Sequence, residues 1–175
     1  MRKAWSGFAG AVQRLNDFCG YVAALLIIVS TVAISYEVVW RYVFRHPHDW
    51  NLEFNIFILV AATFLAAAHT QMKRGHVGIE VLDQTLSPRW NRWRRLVSDI
   101  LSLLFCAFLT VYIWKYFFEA WQGDWVTEST WGPKVWIPYS FMGFGMTMLC
   151  LQFVVQIGDD LLRPSLKIEH DVVGD

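Results

Sequence analysis

Long apolar stretches separated by short polar ones dominate the pattern of this chain. Four of them, at about residues 20–40, 51–71, 96–117 and 135–157, hold few charged side chains. At a rise of about 1.5 Å per residue, about 20 helical residues cover the roughly 30 Å hydrocarbon core of a bilayer. The pattern therefore predicts an all-α integral membrane protein, in which residues 1–175 form a single domain of four transmembrane helices.

The second apolar stretch indicates most clearly how these helices are oriented. It opens with Trp50 and Glu53, one helical turn apart, and it closes with Lys73 and Arg74. Trp is enriched at membrane interfaces, and Lys and Arg are enriched on the cytoplasmic side. We therefore expect this segment to enter the membrane from outside and to leave it at the cytoplasmic face.

Basic residues are distributed unevenly among the connecting segments. Four crossings put both termini on one side, and that side holds eleven of the fifteen basic residues: Arg2, Lys3, Arg14, Lys73, Arg74, Arg89, Arg92, Arg94, Arg95, Arg163 and Lys167. The opposite side holds the other four: Arg41, Arg45, Lys115 and Lys134. The positive-inside rule predicts that both termini are cytoplasmic. The polar composition of residues 163–175 predicts a disordered tail.

The segment between the second and third helices has an amphipathic pattern. Its apolar residues recur every three or four positions and Pro88 interrupts them. The pattern predicts two short interfacial helices whose lipid-facing residues are Arg89, Trp90, Arg92, Trp93, Arg94 and Arg95. A weaker stripe at 4–17 could also lie on the inner leaflet. Because the flanking spans hold the arginines at the lipid surface, we expect membrane lipids as their partners and no nucleic acid.

Charged and aromatic residues meet at the predicted outer ends of the first two helices. Glu37 and Arg41 are four residues apart, and Trp50 and Glu53 follow across a short connection. A carboxylate inside the interface is costly unless something pairs with it. We expect one cluster in which Arg41 bridges both carboxylates and Trp50 packs beside it. Either an interfacial ion pair within an aromatic belt or a contact with a partner subunit would explain it.

The order of these features resembles a known family. The residues that carry the resemblance are Glu37, Arg41, Trp50, Glu53, the inner-loop motif Arg74-Gly75-His76-Val77, and Pro133 three residues before Trp136. Over about residues 15–158 the chain is similar to the small membrane subunit, of the DctQ type, of tripartite ATP-independent periplasmic (TRAP) transporters.

The resemblance implies a role and a set of partners. It implies a non-transporting scaffold in the bacterial inner membrane, bound to a large elevator-type permease. A periplasmic solute-binding protein would deliver an organic anion, a carboxylate or a sulfonate. Sodium would bind in the partner subunit, with no cofactor in this chain. The outer loop would contact the binding protein through Trp125, Glu128, Trp131 and Lys134.

Other classes of protein remain as alternatives. A four-helix cytochrome would need facing histidine pairs inside the helices, yet only His69 lies in a predicted span. A self-contained transporter would need polar groups or broken helices at mid-membrane, and the predicted span centres offer only thiols and threonine hydroxyls. The charged residues form no nucleophile-and-base set, so an enzyme is not expected. A membrane-anchor subunit of another complex stays open.

Two further groups could carry metal chemistry. His46 and His48 are one residue apart, but no third ligand accompanies them in the outer segments. The three cysteines, at positions 19, 106 and 150, lie in or beside apolar stretches without metal-ligand spacing, and we interpret them as packing residues.

Overall fold

The computed structural model describes residues 2–46, 48–73 and 88–162, which form four α-helices. They are α1 (Arg2–Phe44), α2 (Asp49–Met72), α3 (Pro88–Gln122) and α4 (Trp136–Leu162). Each holds a stretch long and apolar enough to cross a membrane. The predicted all-helical, four-span class is therefore confirmed. The predicted motif of Arg74, Gly75 and His76 and the tail at 163–175 lie outside the described residues.

In space the helices follow the order α1, α2, α4, α3. Helix α1 packs along α2, α2 along α4, and α4 along α3, whereas α1 meets α4 over a shorter stretch. The burial of the helices agrees with this order. The apolar stretches of α2 and α4 are 33% and 44% buried, whereas those of α1 and α3 are each 17% buried. The four helices therefore form an open row with α2 and α4 in the middle.

Small side chains let the neighbouring helices approach closely. The contact between α1 and α2 is a buried cluster of Cys19, Ala23, Ala62 and Leu65. On another side of α2, Gly145 of α4 lies so close that a Cβ atom there would be 2.6 Å from the carbonyl carbon of Phe64. Small residues are typical of membrane helix contacts, because lipid is as apolar as the helices and close packing must stabilise the contact.

Aromatic residues fill the contact between α3 and α4. The Trp114 ring lies over Gly143, where a Cβ would be 3.0 Å from Cε2, and Trp114 Nε1 donates a hydrogen bond of 3.1 Å to Thr147 Oγ1. At the loop end of the same pair, the Trp121 and Trp136 rings meet edge to face with centroids 4.7 Å apart. Such ring pairs stabilise beyond the area that they bury.

The N-terminal stripe is part of α1 and does not form a separate helix on the inner leaflet. Trp5 Nε1 donates a 3.0 Å hydrogen bond to Asp159 Oδ1 of α4, and Ala9 and Val12 form a buried cluster with Val155. The stripe thus continues α1, and part of it packs against α4, while Phe8 and Leu15 of the same stripe are exposed. A stripe of apolar residues looks the same in sequence whether it meets lipid or a neighbouring helix.

Helix α3 begins at Pro88 and continues without a break to Gln122. The residues after Pro88, predicted as a short helix of their own, are the first turns of α3. Proline fits the first turn of a helix because its missing N–H would have no intrahelical partner there. Pro88 therefore starts a long helix, while the first of the two predicted interfacial helices lies outside the described residues.

Candidate functional site

The charged cluster between α1 and α2 centres on Glu37, which is only 6% exposed. His48, the residue before α2, donates its backbone N–H to Glu37 Oε1 at 3.0 Å, and its ring Nδ1 lies 2.8 Å from Oε2. Arg41, one turn along α1, places Nη2 3.6 Å from Oε1 and keeps 65% of its side chain exposed. His48 therefore holds the carboxylate more closely than Arg41 does.

Three aromatic rings surround the His48 ring. Their centroids lie 5.2 Å away for Trp40, 6.0 Å for Trp50 and 6.2 Å for Tyr36. Trp50 therefore lies near Glu37, as predicted, and the His48 ring lies between the two side chains. Because its Nδ1 faces the Glu37 carboxylate, that nitrogen is engaged in the link between the helices.

Glu53 is separated from this cluster. Asn51 and Asn55 face α1, and Glu53 lies two residues from each, which is about 200° around a helix that turns about 100° per residue. Glu53 Oε2 is buried and accepts no hydrogen bond from the described residues. Arg41 pairs with Glu37 and does not bridge the two carboxylates as the sequence suggested. The helix register therefore puts Glu53 on the face of α2 away from α1.

Amide side chains connect the helices at several depths. Ser30 Oγ of α1 donates to Asn55 Oδ1 at 2.8 Å, and Asn51 Nδ2 donates to the Ala33 carbonyl at 3.2 Å. Both asparagines are buried. Among the described residues, the helices therefore contain buried amides and a serine in addition to the thiols and threonine hydroxyls at the predicted span centres.

A second set of amides joins α4 to its neighbours. Gln71 Nε2 donates to Gln156 Oε1 at 2.8 Å, and Gln156 Nε2 donates back to the Gln71 carbonyl at 2.8 Å. Asn16 Nδ2 of α1 donates to Gln152 Oε1 at 2.8 Å. The spacing of these amides in the sequence indicates a shared helix face. Gln152 and Gln156 are four residues apart, as are Asn51 and Asn55 of α2, and residues at this spacing lie on one face of a helix.

His69 lies in the contact between α1 and α2. A Cβ at Gly20 would be 2.6 Å from its ring carbon Cγ, and His69 Nδ1 is 3.4 Å from Asp17 Oδ1. Gly20 is therefore required by the close approach of the imidazole ring. The one histidine predicted within a span packs against the neighbouring helix and an acidic side chain.

The predicted lipid-facing residues fall at the start of α3. Trp90 and Trp93 are 70% and 68% exposed, and Arg94 and Arg95 are partly buried. The side chains of Arg89 and Arg92 lie outside the described part of the chain. The two exposed indoles suit a membrane interface, where an aromatic body and a polar N–H find different surroundings.

The loop between α3 and α4 folds as a short hairpin. Val126 and Lys134 form an antiparallel bridge, and Val135 N donates to the Trp125 carbonyl at 3.0 Å. Lys134 also pairs with Asp124. Trp125 and Trp131 are 43% and 47% exposed, and Glu128 is exposed as well. The four loop residues singled out in the sequence therefore lie on one compact element, with its two indoles available to a partner.

These features define a multi-span membrane protein whose described polar groups mostly tie helix to helix. A family model matches residues 30–163, and its description is "Tripartite ATP-independent periplasmic transporters, DctQ component". The chain belongs to this family, whose members are the small permease components of TRAP transporters and are not enzymes. The match covers α2, α3 and α4 in full and the last third of α1, from residue 30 onward.

A curated relative supports the same assignment. The chain is 23% identical over 175 aligned residues, covering 88% of this chain and 75% of the relative, to the C4-dicarboxylate TRAP transporter small permease protein DctQ of Vibrio cholerae serotype O1. The resemblance to the DctQ-type small subunit seen in the sequence is thereby confirmed. Members of this family work with a large permease and a periplasmic binding protein, so the family implies both as partners of this chain.

Proposed function

We propose that this chain is the non-transporting scaffold subunit of a sodium-coupled TRAP transporter that takes up an organic anion. The observation that supports this most is how the buried amides of the spans are used. The pairs Ser30 with Asn55, Asn16 with Gln152 and Gln71 with Gln156 bond to one another across helix contacts. Such groups hold the row together and leave little free to bind a solute.

A transport site would need different chemistry. An organic anion is commonly held by paired donors, arginines or helix N-termini, and a sodium ion by several oxygens from interrupted backbone. All four described helices run unbroken through their apolar stretches. In this proposal the sodium and substrate sites belong to the large subunit, which moves against this static row.

The flanking helices offer surface for that partner. Helices α1 and α3 carry large exposed apolar side chains along their spans, among them Leu25, Ile28, Val32, Leu101, Leu104 and Phe108. In a membrane such faces meet either lipid or another helix. Helices α1 and α3 could bind the large permease through these faces, while the contacts of α2 and α4 hold the four helices together.

We further propose that the chain lies in the bacterial inner membrane with both termini cytoplasmic. The excess of Lys and Arg on that side supports this orientation. Glu128 would then face the periplasm and Trp90 the cytoplasm. Single cysteines at these positions, in a variant without the native cysteines, should react with an impermeant reagent in intact cells at 128 and only after lysis at 90. The reverse labelling would contradict the orientation.

The hairpin between α3 and α4 is our candidate contact for the binding protein. Trp125 and Trp131 are the kind of exposed aromatic side chains that dominate binding energy at interfaces. Replacing both by alanine should weaken capture of the binding protein while the permease still co-purifies. Unchanged binding-protein capture would contradict this role.

The name of the Vibrio relative suggests the first substrate to try. We propose a four-carbon dicarboxylate as the initial probe, because that relative is described as a C4-dicarboxylate small permease protein. Other carboxylates and sulfonates should be tested next to it.

Reconstitution tests the scaffold role directly. The purified chain is placed in liposomes with an inward sodium gradient, with and without its co-purifying permease and binding protein, and uptake of labelled succinate is followed. Uptake is expected only from the complete set. Sodium-driven uptake by this chain alone would contradict the proposal, and uptake by the set that does not depend on sodium would contradict the coupling.

A further inference from the structure

A groove of about 1030 Å³ opens between α1 and α2 toward the end where these helices are connected. Two facing stripes of side chains line it: Ile34, Val38, Arg41 and Arg45 from the α1 side, and His48, Leu52, Ile56 and Leu59 from the α2 side. From Ile34 to the end of α1 at Phe44 there are ten helical steps, or about 15 Å at 1.5 Å per residue, and Arg45 follows directly. The groove is therefore about as deep as one leaflet of a bilayer core that is about 30 Å thick.

The groove changes character along its length. Arg41 and Arg45 are exposed at the connection end, and the deep end is walled by Ile34, Ile56 and Leu59. Glu37 is the acidic residue among the lining side chains, but its carboxylate is nearly buried and held by His48. The exposed charge at the mouth is thus cationic. The slot below it is formed by branched aliphatic side chains together with the Asn51 and Asn55 amides, which are bonded to Ala33 and Ser30 of α1.

We propose that this groove binds an anionic phospholipid, with the phosphate at Arg41 and Arg45 and an acyl chain along the aliphatic slot. Guanidinium groups form strong charge-assisted hydrogen bonds to phosphate oxygens, and basic pockets between membrane helices suit anionic headgroups. This site goes beyond the scaffold role and does not require it. It holds for either orientation of the chain, and with cytoplasmic termini the lipid belongs to the outer leaflet.

The composition of the walls favours a lipid over a helix of another subunit. Where α2 meets its two neighbours, the contacts are built on small residues, such as Ala23 and Ala62 in one buried cluster and Gly145 against Phe64. The lining of the groove contains no glycine, alanine or serine. Bulky aliphatic walls keep a partner backbone at a distance, while a flexible acyl chain can follow them.

Native mass spectrometry of the purified full-length chain tests the site. Phosphatidylglycerol and phosphatidylcholine are added in equal amounts, and the wild-type chain is expected to retain the former selectively. Arg45→Gln should weaken retention about tenfold, as expected when one charge-assisted hydrogen bond is lost. Ile56→Trp, which fills the slot without changing charge, should also reduce retention. Lys115→Gln, at an exposed cation outside the groove, is the matched control and should retain the lipid.

Several results would overturn the site. Equal retention of the two lipids by the wild-type chain would remove headgroup recognition. Loss of phosphatidylglycerol in Lys115→Gln as large as in Arg45→Gln would show only diffuse attraction to surface cations. A cysteine at Val38 that cross-links to a co-purifying permease in native membranes would assign the groove to a protein partner. Arg45→Gln and Ile56→Trp keep the test valid if Arg41→Gln, which loses the contact with Glu37, fails to fold.

Discussion

The Glu37 carboxylate of α1 is held by one residue at the start of α2, since His48 donates its backbone N–H to one oxygen and places Nδ1 2.8 Å from the other. The backbone N–H at the start of a helix has no partner within that helix. A carboxylate near the apolar region also needs a donor. The Glu37 carboxylate and the His48 backbone N–H thereby provide hydrogen-bond partners for each other. This contact joins the end of α1 to the start of α2.

His48→Ala should lower the Tm of the full-length chain in detergent by several degrees. The nearly buried Glu37 carboxylate would lose the ring nitrogen that lies closest to it. His46→Ala, at the exposed position two residues earlier, is the control and should leave Tm unchanged. Equal Tm values for the two variants would contradict the role of His48.

Glu53→Gln should leave Tm unchanged or raise it. The Glu53 Oε2 atom is buried without a donor among the described residues, and a neutral amide is less costly to bury than a carboxylate. Glu37→Gln should instead lower Tm, because it exchanges an acceptor of two donors for a group that matches them less well. A large loss of stability from Glu53→Gln in the isolated chain would contradict this prediction.

Gly145→Ala should destabilise the chain by about 1–3 kcal/mol, the usual cost of inserting a methyl group into a filled contact. The added Cβ would press on the backbone of Phe64 and force α2 and α4 apart. Gly10→Ala is the matched control, since a Cβ there meets no atom within 4 Å. It should stabilise α1 slightly, by up to about 1 kcal/mol, because alanine favours helix more than glycine does. Thermal unfolding of both variants in the same detergent distinguishes them, and equal shifts would contradict the close contact.

The Gln71 and Gln156 pair should behave as one unit. Gln71→Leu leaves the buried Gln156 Oε1 without its donor, and Gln156→Leu leaves Gln71 Nε2 without its acceptor, so either change alone should cost about 1–2 kcal/mol. The double variant removes both amides and should cost less than the two single changes added together. A double-mutant cycle on unfolding free energies measures the difference, and strict additivity would mean that the two amides do not interact.

The sequence predicted the residue types of the outer cluster but not its arrangement. Glu37, Arg41 and Trp50 lie at the same end of α1 and α2, as expected from the order of the helices. Which carboxylate meets which donor depends on helix register, and that register turns Glu53 away from α1. The sequence shows that His48 lies near His46 and so suggests a metal ligand, but it does not show that His48 lies beside Glu37 in space.

By itself the sequence determined the number of spans and the family, because apolar length and the order of interfacial residues are properties of consecutive residues. Only the tertiary structure decided the row α1, α2, α4, α3, the packing of Trp5 on α4, and the amide pairs between helices. The reason is physical. In a membrane, the lipid-facing and helix-facing sides of a span are both apolar, so the pattern along the chain does not mark which side is which.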